Sequence, residues 1–113
     1  MTAAGQPLEA LAVANRVRLA RAALRRQIAG LSADVGRDRL AGLLGDPGWR
    51  TAGPAASATV VSVLTWPALV GPVRARRLVR RLGISDSRLV RDLTDRQAAQ
   101  VAAHLRAERG GRW

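Results

Sequence analysis

The stretch at residues 68–93, ALVGPVRARRLVRRLGISDSRLVRDL, constrains this chain most, because it compresses a glycine turn, an arginine-dense helix and a second tight turn into 26 residues. Gly71 is a residue type that accepts positive φ or close backbone approach, and Pro72 suits the first position of a helix, where its missing N–H removes no hydrogen bond. A helix starting there turns the amides of Val73 and Arg74 outward, together with that of Gly71. They sit at the positive end of the helix dipole and make an anion site before any side chain is counted. Arg74, Arg76, Arg77, Arg80 and Arg81 add charge beside it. Val73, Leu78, Val79 and Leu82 give the same helix a face to bury, so the segment reads as a packed element and not a basic tail, with Gly83 as its stop.

The chain has 113 residues, which fits one domain able to bury a core. Its aromatics are Trp49, Trp66 and Trp113, without Phe or Tyr, and its wealth of Ala, Leu, Val and Arg points to helices throughout. The formal net charge of +11 calls for a polyanion such as DNA, RNA or an anionic membrane surface. All 19 cations are arginine, which forks to phosphate better than lysine does. With no cysteine, disulfides and thiolate metal sites are excluded. No basic start followed by an apolar run, and no apolar stretch of spanning length, is present, so a soluble cytoplasmic protein is expected.

Residues 1–7 are small and uncharged and are expected to be disordered. A long helix is expected over residues 8–29, with Val13, Val17, Ala20, Leu24, Ile28 and Leu31 in one stripe that needs a partner. Arg18, Arg21 and Arg25 cluster on its flank with no acid nearby, which allows either a solvated face or phosphate contact. The helix lacks the bulky aromatic face with which basic amphipathic helices enter a bilayer. Ser32 is placed to cap a second helix carrying Val35, Leu40, Leu43 and Leu44. Residues 45–56, GDPGWRTAGPAA, read as a surface loop, in which Trp49 plugs the core or stacks on a sugar or base. Ser57 is placed to cap a third helix containing VVSVL, which Trp66-Pro67 ends. After Gly83, Asp86 and Ser87 are expected to satisfy local amides, and Thr94 to Gln97 form a capping box before a last helix with Ala98, Val101, Ala102 and Leu105 facing inward. Residues 109–113 read as a frayed tail. The domain therefore spans residues 8–108, with 68–93 at its centre.

Catalysis finds little support. His104 stands beside small residues without a second ligand type at metal spacing, and Asp34, Asp38, Asp86, Asp92 and Asp95 have ordinary capping or solvation roles. The phosphate-loop pattern GxxxxGK[ST] is absent. A non-enzyme without cofactor or metal is expected.

The run LVGPVRARRLVRRLGISDSRLVRDLTDRQ resembles the helix-two-turns-helix module shared by actinobacterial integration host factor and a small-subunit ribosomal protein that binds RNA. The GIS turn followed by RLVRDLTDRQ is its more specific half. LARAALRRQIAG, at the end of the first helix, resembles the arginine-and-alanine helix of the integration host factor family, and the VVSVL helix fits that family in order and spacing. The resemblance implies an all-α fold in which a long N-terminal helix precedes a compact bundle of about four shorter helices containing the module. It implies a nucleoid-associated, sequence-tolerant binder of double-stranded DNA, acting as a monomer. Gly71, Pro72, Val73, Arg74, Arg76, Arg77 and Arg88 would grip phosphates at the module, and Arg18, Arg21 and Arg25 would hold a second stretch of backbone. An RNA-binding, ribosome-associated protein using the same module is the alternative. Pro72 departs from the Lys or Arg usual after the turn glycine, and Ala68-Leu69 from a Pro-Gly or Pro-Lys pair, changes for which Arg74 and Arg76 are placed to compensate.

Overall fold

The computed structural model describes the backbone of residues 2–107 and the side chains of residues 8–107. The described chain is all-helical: α1 (Thr2–Ala29), α2 (Ala33–Leu44), α3 (Pro47–Ala52), α4 (Val60–Leu64), α5 (Pro72–Arg81) and α6 (Asp95–Ala107), with a 3-10 turn at Val90–Asp92. The bundle after α1 thus holds one helix more than the sequence suggests. Residues 109–113, read as a frayed tail, lie outside the described residues.

α2 and α6 form the most extensive helix pair of the core. Leu40, Ala41 and Leu44 on one side and Ala98, Val101, Ala102 and Leu105 on the other are all buried, and every inward position expected of the last helix is met. The start of α6 is tied as its capping box requires: the Thr94 amide donates to Gln97 Oε1 at 3.1 Å and the Gln97 amide to Thr94 Oγ1 at 3.0 Å. α1 reaches this core only with its C-terminal turns. Ile28 is fully buried and Leu24 packs from the edge, whereas Val17 is 36% exposed and Val13 50%. Of the expected stripe only Leu24 and Ile28 find a partner, Ala20 and Leu31 being exposed with Val13 and Val17, and Leu8, Leu11 and Leu19 are exposed as well. The helix also begins at Thr2, ahead of the start expected near Leu8, and carries Pro7 inside it, where one ladder hydrogen bond is lost. Where α1 meets α2, a Cβ on Gly36 would stand 3.1 Å from the Ile28 carbonyl oxygen, so glycine lets the two backbones close up.

Residues 45–56 are not the open loop their glycines and prolines suggest. Asp46 accepts the Gly48 amide at 2.9 Å and Pro47 takes the first helical position, which together start α3. α3 delivers Arg50 into the interior, only 4% exposed. Its Nη1 donates to the Leu44 carbonyl at the end of α2 at 2.6 Å, and its Nη2 pairs with Asp95 at the start of α6. One guanidinium thereby joins three helices, a role invisible in a sequence with arginines everywhere. Trp49 packs half-buried against the core, the plug of the two alternatives. The α4 cap is Thr59, whose Oγ1 accepts the Ser62 amide at 3.1 Å, and not Ser57, whose hydroxyl accepts from Arg21.

Two backbone stretches distant in sequence are paired at Thr59 and Leu89. The Val60 amide donates to the Arg88 carbonyl and the Val90 amide to that of Ala58, each at 2.9 Å. This pairing fixes the base of α4 to the 3-10 turn, so that α4, α5 and the segment to Leu93 form one closed unit.

Replacing Arg50 with Ala leaves the Leu44 carbonyl unpaired and opens space among α2, α3 and α6, with an expected loss of ~2–3 kcal/mol. Asp95→Asn, at a side chain largely in water, should lose less than ~1 kcal/mol. Urea denaturation of the two variants checks this ordering.

Candidate nucleic-acid interface

The turn from α4 into α5 is built on buried Trp66 and Pro67, which seat it on the core. At Leu69 the chain enters the left-handed region, with φ of 68°. Gly71 itself is extended, with φ −92° and ψ 173°, so of the two uses the glycine allows, positive φ is taken two residues earlier by a leucine and close backbone approach is left to Gly71. A Cβ built on Gly71 meets nothing within 4 Å. The fold does not require glycine there, and the open space in front of its backbone is what a close-approaching ligand needs.

α5 begins at Pro72, and its first ladder bond is that of the Ala75 amide to the Gly71 carbonyl, 3.1 Å. The amides of Val73 and Arg74 lie ahead of the ladder. No side chain caps this end and no acid stands in its first turn. The starts of α3, α4 and α6 are closed by Asp46, Thr59 and Thr94, whereas Ser32, expected to cap α2, stands at its N-cap position without accepting an amide; α2 differs from α5 in carrying Asp34 in its first turn.

Ala75, Leu78 and Val79 face inward, and the exposed face of α5 carries Val73, Arg76, Arg77, Arg80 and Arg81. The apolar face expected to include Val73 and Leu82 is narrower than that: Val73 is 65% exposed and Leu82 half-buried. Val73, Arg76, Arg77 and Arg80 line a concavity of about 380 Å³. Arg76 and Arg81 form no hydrogen bond or ion pair among the described residues. Arg80 reaches Asp86 at 3.1 Å, an exposed pair of the kind that salt screens. Gly83, with φ of 71°, ends the helix as expected. Its amide donates to the Arg80 carbonyl and that of Ile84 to Val79 at 2.8 Å, with Ile84 and Val79 buried together. In the following turn Ser85 Oγ, and not Asp86 or Ser87, accepts a backbone amide, that of Ser87.

The other arginines singled out in the sequence divide by their engagement. Arg74 is half-buried and its Nη1 donates to the Leu69 carbonyl at 2.9 Å, so it braces the left-handed turn in addition to bringing charge. Arg88 is half-buried and donates to the Asp92 carbonyl at 3.2 Å. Arg21 Nε donates to the Pro54 carbonyl at 2.9 Å and its Nη2 to Ser57 Oγ at 2.7 Å, which pins α1 to the segment before α4. Arg18 bonds Asn15 at 2.6 Å on the exposed surface, and Arg25 is exposed. The turn and α5 thus bring Gly71, Pro72, Val73, Arg74, Arg76 and Arg77 together in one region, while Arg18, Arg21 and Arg25 share α1.

His104 is half-buried on α6, and no group of three or more His, Cys, Asp or Glu side chains able to hold a metal occurs among the described residues. No helix among them is long and apolar enough to cross a membrane. Leu69 is the site feature that residue-level reasoning missed. The Ala68-Leu69 departure from a Pro-Gly pair marked the position, but nothing in the sequence showed that leucine would keep a glycine-like conformation.

A leucine at positive φ costs about 1–2 kcal/mol relative to its preferred regions. Leu69→Gly should therefore raise the unfolding free energy by ~1 kcal/mol, read as a higher thermal midpoint in circular dichroism.

Comparison with known protein families matches residues 55–105, just under half of the chain, to the S13-like H2TH domain. The matched segment opens beside the α3–α4 connection, contains α4, the turn at Leu69, α5 and the 3-10 turn, and closes near the end of α6. Comparison with curated proteins and with solved structures finds no match.

Proposed function

We propose that this protein binds double-stranded DNA as an architectural, nucleoid-associated factor of the integration-host-factor kind. The single observation that carries the reading is the start of α5. There an uncapped helix end, an unobstructed glycine backbone and exposed arginines adjoin one another in a chain of net charge +11. Amides of Gly71, Val73 and Arg74 would bind one phosphate, and Arg76, Arg77 and Arg81 would hold its neighbours along the backbone. Contacts of this type fix register without reading bases, so binding is tolerant of sequence. Arg18 and Arg25 on α1 would extend the contact to a second stretch of backbone. Arg21 and Arg88 serve first as structural ties, and their contribution to affinity would run through the placement of α1 and of the 3-10 turn. The protein would act as a monomer, in the cytoplasm on the nucleoid, without cofactor or catalysis.

The S13-like character of residues 55–105 favours a second reading, an RNA-binding protein associated with the ribosome that uses the same module. The two are separated by fluorescence anisotropy with a random-sequence DNA duplex and a matched RNA hairpin over a range of salt. If about six phosphates are neutralised, log affinity for DNA falls against log salt with a slope near about −5. Tighter binding of the hairpin would transfer the protein to the ribosomal reading.

Arg76→Glu combined with Arg81→Glu should weaken duplex binding by at least ~10-fold and flatten the salt slope by about 2, one for each phosphate contact removed. Helicity should be unchanged, since both side chains are in water and bond nothing in the described fold. Unchanged affinity would place the grip elsewhere.

A further inference from the structure

The most exposed large apolar side chain among the described residues is Leu69, at 79%, and Val73, at the start of the helix that follows, is 65% exposed. Burial does not explain either. Leu69 is held where leucine is conformationally costly, at φ 68°, and the Arg74 guanidinium secures its carbonyl at 2.9 Å. Glycine or asparagine would occupy the same backbone without that cost. The turn therefore presents a branched apolar side chain to water under strain. Around it the charge is positive: Arg74 braces the turn, and Val73 shares its concavity with Arg76, Arg77 and Arg80.

An apolar tip held just ahead of a helix face rich in arginine matches a ligand whose anionic edges flank a less polar interior. The minor groove of duplex DNA has that form, with two phosphate rows bordering walls of sugar and base edges. We propose that Leu69 is a wedge that enters the minor groove and partly unstacks a base step, with Val73 packing behind it and the arginines of α5 taking phosphates on either side. The B-form minor groove is only about 6 Å wide, so a turn backed by a helix enters it by widening it, and the duplex bends away. The inference rests on the duplex-DNA reading above and goes beyond it by assigning the bend to one side chain.

The test compares the full-length protein with its Leu69→Gly and Leu69→Asn variants, both of which accept the left-handed backbone. Three quantities are read: the thermal midpoint, affinity for a DNA duplex of about 25 base pairs at several salt concentrations, and the distance between dyes at the two duplex ends by energy transfer. The wild type is expected to bind and shorten the end-to-end distance. Both variants are expected to stay folded, to bind about 10-fold more weakly with an unchanged salt slope, and to leave the duplex straight. Variants that bend DNA as the wild type does would overturn the wedge and leave the DNA reading standing, as would a wild type that binds without bending. A weakened variant with a flattened salt slope would also overturn it, since the loss would then be of phosphate contacts. A wild type that gives no anisotropy change with duplex DNA would overturn both readings.

Discussion

The packing of α5 on α4 through Ala75, Leu78 and Val79 decides the orientation of everything around it. These residues turn one side of a short, highly charged helix into the core, where Val60, Val63 and Leu64 of α4 are also buried. The remaining sides must then carry the arginines outward. Such a helix has little stability of its own, because ten residues are too few for an isolated helix in water and adjacent like charges repel. Tertiary burial offsets both effects. The Gly83 stop and the pairing of Thr59 with Leu89 lock the two ends of this unit through backbone hydrogen bonds, and Arg74 and Arg88 add side-chain ties to the Leu69 and Asp92 carbonyls.

The arginines serve two purposes that one side-chain type can meet. Arg50, Arg21 and Arg74 donate to carbonyls at helix ends and turns, where a planar, permanently charged fork satisfies acceptors left by the ladder. Arg76 and Arg81 stand in water and leave their charge uncompensated. With 8 acids against 19 cations, a group of this second kind is inevitable. Several of the acids are already committed: Asp34 pairs with Arg37, Asp38 with Arg106, Asp86 with Arg80 and Asp95 with Arg50.

Much of this architecture was legible because it rests on local rules. The Thr94 to Gln97 capping box, the inward face of α6 and the Gly83 stop depend on neighbours within one or two turns, and each stands as its residues indicate. The failures are of two kinds, a local signal outweighed by its neighbours and a contact made across the chain. α3 was hidden in a segment whose glycines and prolines suggest a loop, although Asp46-Pro47 is also a helix start. Ser57 is a competent cap by residue type, but Arg21 from α1 claims its hydroxyl and Thr59 caps instead. The apolar stripe of α1 gave no sign that the bundle would cover only its last turns. At the candidate site the Gly-Pro-Val-Arg order marked the start of α5, which stands at Pro72. The division of labour was not legible: the positive φ falls on Leu69, and Arg74 braces the turn.

In the proposed function the turn at Gly71 and the outward face of α5 hold a nucleic-acid backbone. The most direct test is an amide-resolved NMR titration of the 15N-labelled protein with a short DNA duplex at low salt. The amides of Gly71, Val73 and Arg74 are expected to shift first and furthest, with the Arg76 and Arg81 side chains following. Shifts confined to α1, or to the α6 surface, with the Gly71 turn unmoved at saturation would contradict the proposed function.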